Sequence, residues 1–209
     1  MRIKRIKSFM IDFLILLAFF FLVQVMIPKT DYVKKLEAEQ NTIMEDYFAH
    51  RIHFQEYVSL YGDVFYESSL EGQTPYLLYL IFMLCYFIVL PFFWKGRTIG
   101  CYVCGVQIER FDQGPLHPWQ LFIRYSIVFG LGYVFLNNLF LLLLPSSYYF
   151  ICISIVAVFQ FVLAIFSMMT VIFRKEKRGL HELLSNTEIT KIIDKKKYEK
   201  KNQEVEGKG

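Results

Sequence analysis

The sequence predicts an all-α integral membrane protein with four transmembrane helices, both termini cytoplasmic, and a small cytoplasmic cap. The main observation is four long apolar stretches with almost no charge, at residues 9–27, 76–94, 126–144 and 148–173. Each stretch has at least 19 residues, so as an α-helix it can cross a hydrocarbon layer of about 30 Å. The composition agrees, with 55% hydrophobic and 18% aromatic residues, which is more than an ordinary soluble domain of this length contains.

Charge asymmetry predicts the orientation. Residues 1–7 contain four basic side chains and no acid, whereas residues 28–75 contain four basic and nine acidic ones. The chain from residue 174 onward contains eleven basic and seven acidic side chains. Because basic residues near the ends of spans stay in the cytoplasm, we expect both termini and residues 95–125 inside, and residues 28–75 outside. The expected location is the plasma or inner membrane.

The first apolar stretch is expected to remain as a span and not to be removed as a signal peptide. It is longer than a signal core, and no small-residue cleavage pattern precedes Pro28. It also contains Asp12, and a carboxylate inside a span costs a few kcal/mol. Asp12 must therefore be paired, hydrated or functional.

The outward segment 28–75 is expected to begin with a helix from Thr30 to about Arg51. No Gly or Pro interrupts this stretch, Thr30 can cap its start, and apolar side chains recur at three- or four-residue spacing. The helix would serve as a structural cap or as a binding surface. Residues 67–75 have the composition of a loop that leads into the second span.

Two short stretches on the inward side alternate as strands do, Val106–Ile108 and Glu188–Thr190. We expect them to pair as a small sheet beneath the membrane, within a membrane domain that comprises residues 1–193. The lysine-rich tail, residues 194–209, lacks apolar periodicity and is predicted to be disordered.

Chemical motifs are few. Cys101 and Cys104 have the spacing of half a zinc site or of a redox pair, but no second ligand pair is near in sequence. His117, His181 and Glu182 are acid–base or metal-ligand candidates, yet no nucleophile or HExxH motif accompanies them. We therefore expect no enzymatic activity, no cofactor and no metal.

Separated segments together resemble the RDD membrane proteins, a family named for one arginine and two aspartates. Arg5-Ile-Lys-Ser-Phe-Met-Ile-Asp12 resembles the family's opening segment. Thr98-Ile-Gly-Cys-Tyr-Val-Cys-Gly-Val-Gln-Ile108 is similar to its Thr-x-Gly-Lys-x-x-x-Gly segment, and Leu180-His-Glu-Leu-Leu-Ser-Asn-Thr187 to its closing Leu-His-Asp box. Arg124 stands where the family usually has an arginine at the start of the third span.

The resemblance implies which residues form the site. They are Arg5, Asp12, Thr98, Gly100, Gly105, Arg124, Leu180, His181, Glu182 and Thr187. Two positions depart from the family pattern: the lysine after Gly100 is Cys101, and the closing aspartate is Glu182. The resemblance further implies an inner-membrane or plasma-membrane protein whose biochemical role is mostly unassigned, with transport of small solutes or ions suspected.

The charged residues suggest one interhelical ion pair. Arg5 and Asp12 are about 10 Å apart along a helix and cannot pair directly. We therefore predict that Asp12 pairs with Arg124, with Arg5 extending toward lipid phosphates. The pair would either hold the spans together or take part in an inward-facing ion or proton site. Amides within the spans would form interhelical hydrogen bonds or line a polar path; they are Gln24, Asn137, Asn138 and Gln160.

Two functions remain open from the sequence. The leading one is transport of a small solute or ion, or assistance to it, centred on Asp12 and Arg124. The alternative is a non-catalytic scaffold or accessory subunit that binds another protein through the outward helix. Expected partners are the lipid bilayer, anionic headgroups facing the basic run 174–178, and a second copy or another membrane protein. Nucleic acid is not expected.

Overall fold

The computed structural model describes residues 2–173 and 179–192, so the basic run 174–178 and the tail 194–209 lie outside the described residues. The secondary-structure elements, in chain order, are α1 (Arg2–Met26), α2 (Asp31–Phe48), α3 (Phe54–Glu71), α4 (Gln73–Leu84), a π-helical turn (Cys85–Val89), α5 (Leu90–Phe93), α6 (Ile99–Val103), β1 (Val106–Arg110), α7 (Pro118–Phe129), α8 (Leu131–Leu143), α9 (Ser146–Phe173), α10 (Leu180–Leu184) and β2 (Thr187–Lys191).

Three helical segments are long and apolar enough to cross a membrane: Ile3–Met26, Gln73–Phe93 and Ser146–Thr170. A fourth arises only if α7 and α8 together form one crossing, because these helices meet at an angle of 94°. The predicted all-α membrane class therefore agrees with three or four candidate spans among the described residues. The prediction of one continuous helix over residues 126–144 is wrong.

The bend between α7 and α8 occurs at Gly130. This residue has φ of +74°, a left-handed conformation that glycine adopts with little strain and that commonly ends helices. The break leaves carbonyl groups at the end of α7 without helical partners. Gln160 of α9 compensates for one of them, since its Nε2 donates to the carbonyl of Ile127 at 3.2 Å. A glycine and an amide from another helix thus stabilise the bend together.

The second span contains an irregularity as well. Between α4 and α5 the chain forms the π-helical turn, in which the N–H of Leu90 bonds to the carbonyl of Cys85. Pro91 follows directly and has no N–H to donate to the preceding turn. Single π-helical turns are uncommon and often coincide with functional positions. The turn contains Tyr86 and Phe87, both of which are buried.

Residues 28–75, which the sequence predicts to lie outside, contain a helical hairpin of α2 and α3, which we call the outer hairpin after that prediction. Thr30 caps α2 as expected, accepting the N–H of Val33 at 3.2 Å. The prediction of a loop over residues 67–75 is wrong, because α3 continues to Glu71 and α4 begins at Gln73. The outer hairpin packs on α9, with Gly62 of α3 lying next to Phe150.

The two predicted strands pair with each other. β1 and β2 are antiparallel, with Gln107 opposite Thr190 and Ile108 opposite Ile189. Val106 and Ile108 are buried and join the main apolar cluster around Phe87, Leu121 and Tyr125. This sheet, α6 and α10 occupy one end of the helical bundle, called here the cap end, and the outer hairpin occupies the opposite end.

Candidate functional site

Asp12 lies in a buried cluster where α1 meets the second span and α6. Its Oδ1 accepts hydrogen bonds from the Tyr86 hydroxyl at 2.6 Å and from the Gly100 N–H at 2.9 Å. Its Oδ2 accepts one from the Thr98 hydroxyl at 2.8 Å. Asp12 is 3% exposed, so these bonds replace the water that a carboxyl group would otherwise need. We call these four residues the Asp12 cluster.

The segment that follows the second span is shaped to reach Asp12. Thr98 caps α6, since its Oγ1 accepts the N–H of Cys101 at 3.1 Å while its hydroxyl donates to Asp12. Gly100 packs directly on α1. A Cβ at this position would lie 2.4 Å from the Ser8 carbonyl oxygen and 2.6 Å from Asp12 Oδ1. Only glycine therefore fits in the Asp12 cluster at this position.

A second buried cluster forms around Glu182 at the cap end. Arg5 Nη1 lies 3.3 Å from Glu182 Oε2, and Arg124 Nη2 lies 3.7 Å from Oε1. The N–H of Gly179 donates to Oε2 at 3.1 Å, and Arg124 Nη1 donates to Thr187 Oγ1 at 3.0 Å. We call these residues the Glu182 cluster. The cluster joins α1 and α7 to residues 179–187, which we call the closing segment. Two guanidinium groups lie against one carboxylate at this junction.

The predicted ion pair between Asp12 and Arg124 is therefore wrong. Arg124 binds Glu182 and Thr187, whereas Asp12 is bonded to hydroxyl and backbone donors. Arg5 does not extend toward lipid phosphates, because its Nη2 donates to the carbonyl of Ile189 at 2.9 Å. The physical reason is that Glu182 supplies a carboxylate at the cap end of the bundle, where both arginines can reach it.

The other predicted site residues surround the Glu182 cluster. His181 Nδ1 is 2.6 Å from the Ser167 hydroxyl of α9. Burial, together with the nearby charges of Arg124 and Arg5, holds the pKa of His181 well below its usual range. The N–H of Leu180 donates to Thr170 Oγ1 at 2.7 Å. These bonds attach α10 to the end of α9.

Gly105 forms the turn from α6 into β1. It has φ of +65°, and its carbonyl accepts the N–H of Ile192, just after β2, at 3.2 Å. Gly105 thus contributes to the small sheet and does not contact Asp12 or Glu182 in any hydrogen bond of the described residues. The ten predicted residues therefore divide into the Asp12 cluster, the Glu182 cluster and the segments that position them.

The thiols and imidazoles do not form a metal centre in the described part of the chain, where no group of three potential ligands occurs. Cys101 is buried and accepts a hydrogen bond from the Ser8 hydroxyl at 3.3 Å. Burial raises the pKa of the Cys104 thiol, which lowers its nucleophilic reactivity at neutral pH. His117 is the N-cap residue directly before α7, and its backbone N–H donates to Gln120 Oε1 at 3.0 Å.

Sequence reasoning missed Tyr86, Ser8, Ser167 and Gln120. Gln120 is 1% exposed, and its Nε2 donates to the carbonyl of Ser185 at 3.1 Å. The available signal was the presence of polar side chains within apolar helices, which need hydrogen-bond partners from other elements. Single polar residues in such helices do not identify their partners, so the pairs were not predictable.

The bundle also contains a cavity of about 220 Å³ between α1, α3, α4, α8 and α9. Its described lining has no charged side chain and consists of Phe20, Val23, Gln24, Phe65, Ser69, Pro75, Tyr76, Tyr79, Tyr133, Val134, Asn137 and Tyr149. Asn137 Oδ1 accepts the Tyr149 hydroxyl at 2.9 Å, and so links α8 to α9. Asn138, by contrast, donates to the carbonyl of Val134 in its own helix at 2.9 Å.

This chain is similar in sequence to one known protein family. The sequence profile of the RDD family matches residues 2–186. The chain belongs to the RDD family. A relative of this chain, the uncharacterized protein YckC of Bacillus subtilis (strain 168), is 30% identical over 115 residues, which cover 52% of this chain and 56% of that protein. This RDD protein thus spans little more than half of that relative's length, and no solved structure matches it.

Proposed function

We propose that this RDD protein crosses the plasma membrane four times, with α7 and α8 forming one bent crossing and both termini in the cytoplasm. Gln120, near the start of α7, contacts Ser185 at the cap end. The backbone carbonyl of Leu141, near the end of α8, accepts a hydrogen bond from the Tyr66 hydroxyl of the outer hairpin at 3.4 Å. The bent pair therefore connects the two ends of the bundle. The excess of basic residues at the N-terminus supports a cytoplasmic cap end.

Within this topology we propose that the protein transports a small solute or ion. The observation that carries the proposal is the position of the cavity beside two interrupted helices. Tyr79 lines the cavity on the span that contains the π-helical turn, and Tyr133 lines it on the helix that begins at the bend. Membrane transporters commonly bind their substrates beside discontinuous helices, because such breaks free backbone groups and permit rearrangement.

The Asp12 cluster would close the route toward the cap end. Gln24, which lines the cavity, is twelve residues after Asp12 on α1, so the two are about 18 Å apart along that helix. Asp12 binds the π-helical turn through Tyr86 and α6 through Thr98 and Gly100. Movement of a solute past this point requires these bonds to break. We propose this gating role for Asp12 and no enzymatic role for the chain.

Solute flux into reconstituted vesicles tests the proposal, with inorganic ions and small organic solutes screened in parallel. Asp12→Asn is expected to leave a folded protein whose flux changes by tenfold or more, because an amide cannot accept three hydrogen bonds in the same geometry. Asp63→Asn, on the exposed surface of α3, is the matched control and should behave as the native protein. Equal flux through native and Asp12→Asn protein, or no flux above empty vesicles for every solute, contradicts the proposal.

A second candidate function is a membrane scaffold or accessory subunit that binds another protein through the outer hairpin. One observation favours it: Phe48 and Phe54, at the tip of the outer hairpin, are 72% and 64% exposed. Exposed aromatic pairs of this kind are typical of binding surfaces. The double change Phe48→Ser and Phe54→Ser would then abolish capture of that protein, and Asp12→Asn would not.

A further inference from the structure

We propose that the cavity binds a small organic cation of the alkylammonium class through its aromatic side chains. Six aromatic residues line the cavity, and four of them are tyrosines: Tyr76, Tyr79, Tyr133 and Tyr149, with Phe20 and Phe65. A volume of about 220 Å³ is below the range of drug-sized sites and suits a ligand of few heavy atoms. Binding itself is independent of transport. Passage of the cation across the membrane rests on the proposed function.

The chemistry of the lining selects among cations. No charged side chain is among the described residues that line the cavity, and its polar side chains other than tyrosine are Gln24, Ser69 and Asn137. A metal ion would enter such a site without a carboxylate to compensate for its lost hydration, which is costly. An alkylammonium group is weakly hydrated, has an apolar surface and is attracted to the faces of aromatic rings. The lining therefore favours the organic cation.

The segment that contains α3, one of the helices lining the cavity, has the complementary charge. The segment 28–75, which contains the outer hairpin, has four basic and nine acidic residues, a net charge of 4 − 9 = −5. Ser69 of α3 lines the cavity, and Glu67 and Glu71, each two residues away, lie on the other side of the same helix. An acidic surface around a cleft raises the local concentration of cations and their rate of association. The charge of the outer hairpin thus agrees with the chemistry of the cavity.

Choline and its uncharged isostere 3,3-dimethylbutan-1-ol provide the test, because they have the same shape and differ in charge. Binding of both to the full-length protein in nanodiscs is measured by isothermal titration calorimetry. We expect choline to bind at least tenfold more tightly than the isostere. Equal affinity would overturn the proposal in favour of an uncharged ligand, and absence of choline binding would overturn it outright.

Ring substitutions locate the site. Tyr79→Leu and Tyr133→Leu should each weaken choline binding about fivefold or more, whereas Tyr79→Phe keeps a ring and should weaken it less than threefold. Phe122→Leu removes a ring that packs edge-to-face against Phe135 outside the cavity lining, and should leave the affinity unchanged. Equal affinities for native, Tyr79→Leu and Tyr133→Leu protein would overturn the proposal. If one leucine variant fails to fold, the other decides.

Competition and flux separate this proposal from the proposed function. Excess sodium ion should not displace choline, and displacement would overturn the preference for an organic cation. Choline binding without flux of any solute would support the cation site while contradicting transport. Flux of other solutes without choline binding would support transport while overturning the cation site.

Discussion

Arg5 and Glu182 meet at the cap end, with Arg5 Nη1 3.3 Å from Glu182 Oε2, although 177 residues separate them in the chain. Arg124 binds the other oxygen of the same carboxylate. Neutralising a buried charge that has partners leaves those partners uncompensated, and this is more costly than the net stabilisation of the intact pair. Glu182 is therefore the position at which a single change should most affect the assembly of α1, α7 and the closing segment.

Replacement of Glu182 tests this relationship. Glu182→Gln is expected to lower the free energy of unfolding by about 3–5 kcal/mol, because two guanidinium groups lose their carboxylate. Glu182→Asp keeps the charge on a shorter side chain and should cost less. Thermal unfolding in nanodiscs, followed by circular dichroism, measures both. Glu39→Gln on the exposed face of α2 is the control, and an equal loss in that variant would argue against the role of the Glu182 cluster.

A substitution at Gly100 tests how closely α6 packs on α1. Gly100→Ala should destabilise the protein by about 1–3 kcal/mol, since the new methyl group would overlap the Ser8 carbonyl and the Asp12 carboxyl. The same change at Gly62 places its Cβ 3.4 Å from Phe150, an ordinary contact, so Gly62→Ala should be nearly neutral. Denaturation midpoints of the two variants make the comparison. Equal stability of both would show that the Asp12 cluster can expand.

The low pKa of His181 predicts a dependence of stability on pH. The folded pKa lies below the unfolded value of about 6.5, so between these values the unfolded chain binds more protons than the folded one. Stability should therefore be complete above about pH 6.5 and decline as the pH falls below it. His181→Gln should flatten this decline. His53→Gln, at an exposed position before α3, should retain it, and an unchanged slope in His181→Gln would contradict the assignment.

The bend at Gly130 has a separate test. Gly130→Ala imposes a left-handed conformation on a residue with a Cβ, at a cost of about 1–2 kcal/mol. Gln160→Leu removes the side-chain bond to the Ile127 carbonyl and should cost about 1 kcal/mol. Both variants should also change flux if the bend moves during transport. Unaltered unfolding temperatures in both would show that the bend is stabilised by other contacts.

The elements of the fold were largely predictable, because each depends on local sequence patterns. Apolar length predicted the spans around α1, α4 and α9, and alternation predicted β1 and β2 together with their pairing. The break at Gly130 was not predicted, since a glycine inside an apolar run is compatible with a continuous helix. Its conformation depends on packing against Gln160, which lies 30 residues later in the chain.

The presence of four motif residues in the two buried clusters was predictable, whereas their pairings were not. The motif residues Arg5, Asp12, Arg124 and Glu182 all lie in the two buried clusters. The prediction paired Asp12 with Arg124 because opposite charges within a membrane are expected to meet. It omitted the possibility that hydroxyl groups and a backbone N–H could donate hydrogen bonds to Asp12, and that Glu182 could lie near both arginines at the cap end.

The long separation between Arg5 and Glu182 has a consequence for biosynthesis. Arg5 is made well before its carboxylate partner, because α9, the last of the described helices that are long and apolar enough to cross a membrane, is made between them. Until then the nascent first helix has to be retained in the bilayer without its final contacts. This contact therefore forms only after α9 has been made, and a chain that stops before Glu182 would lack the junction between α1 and the closing segment.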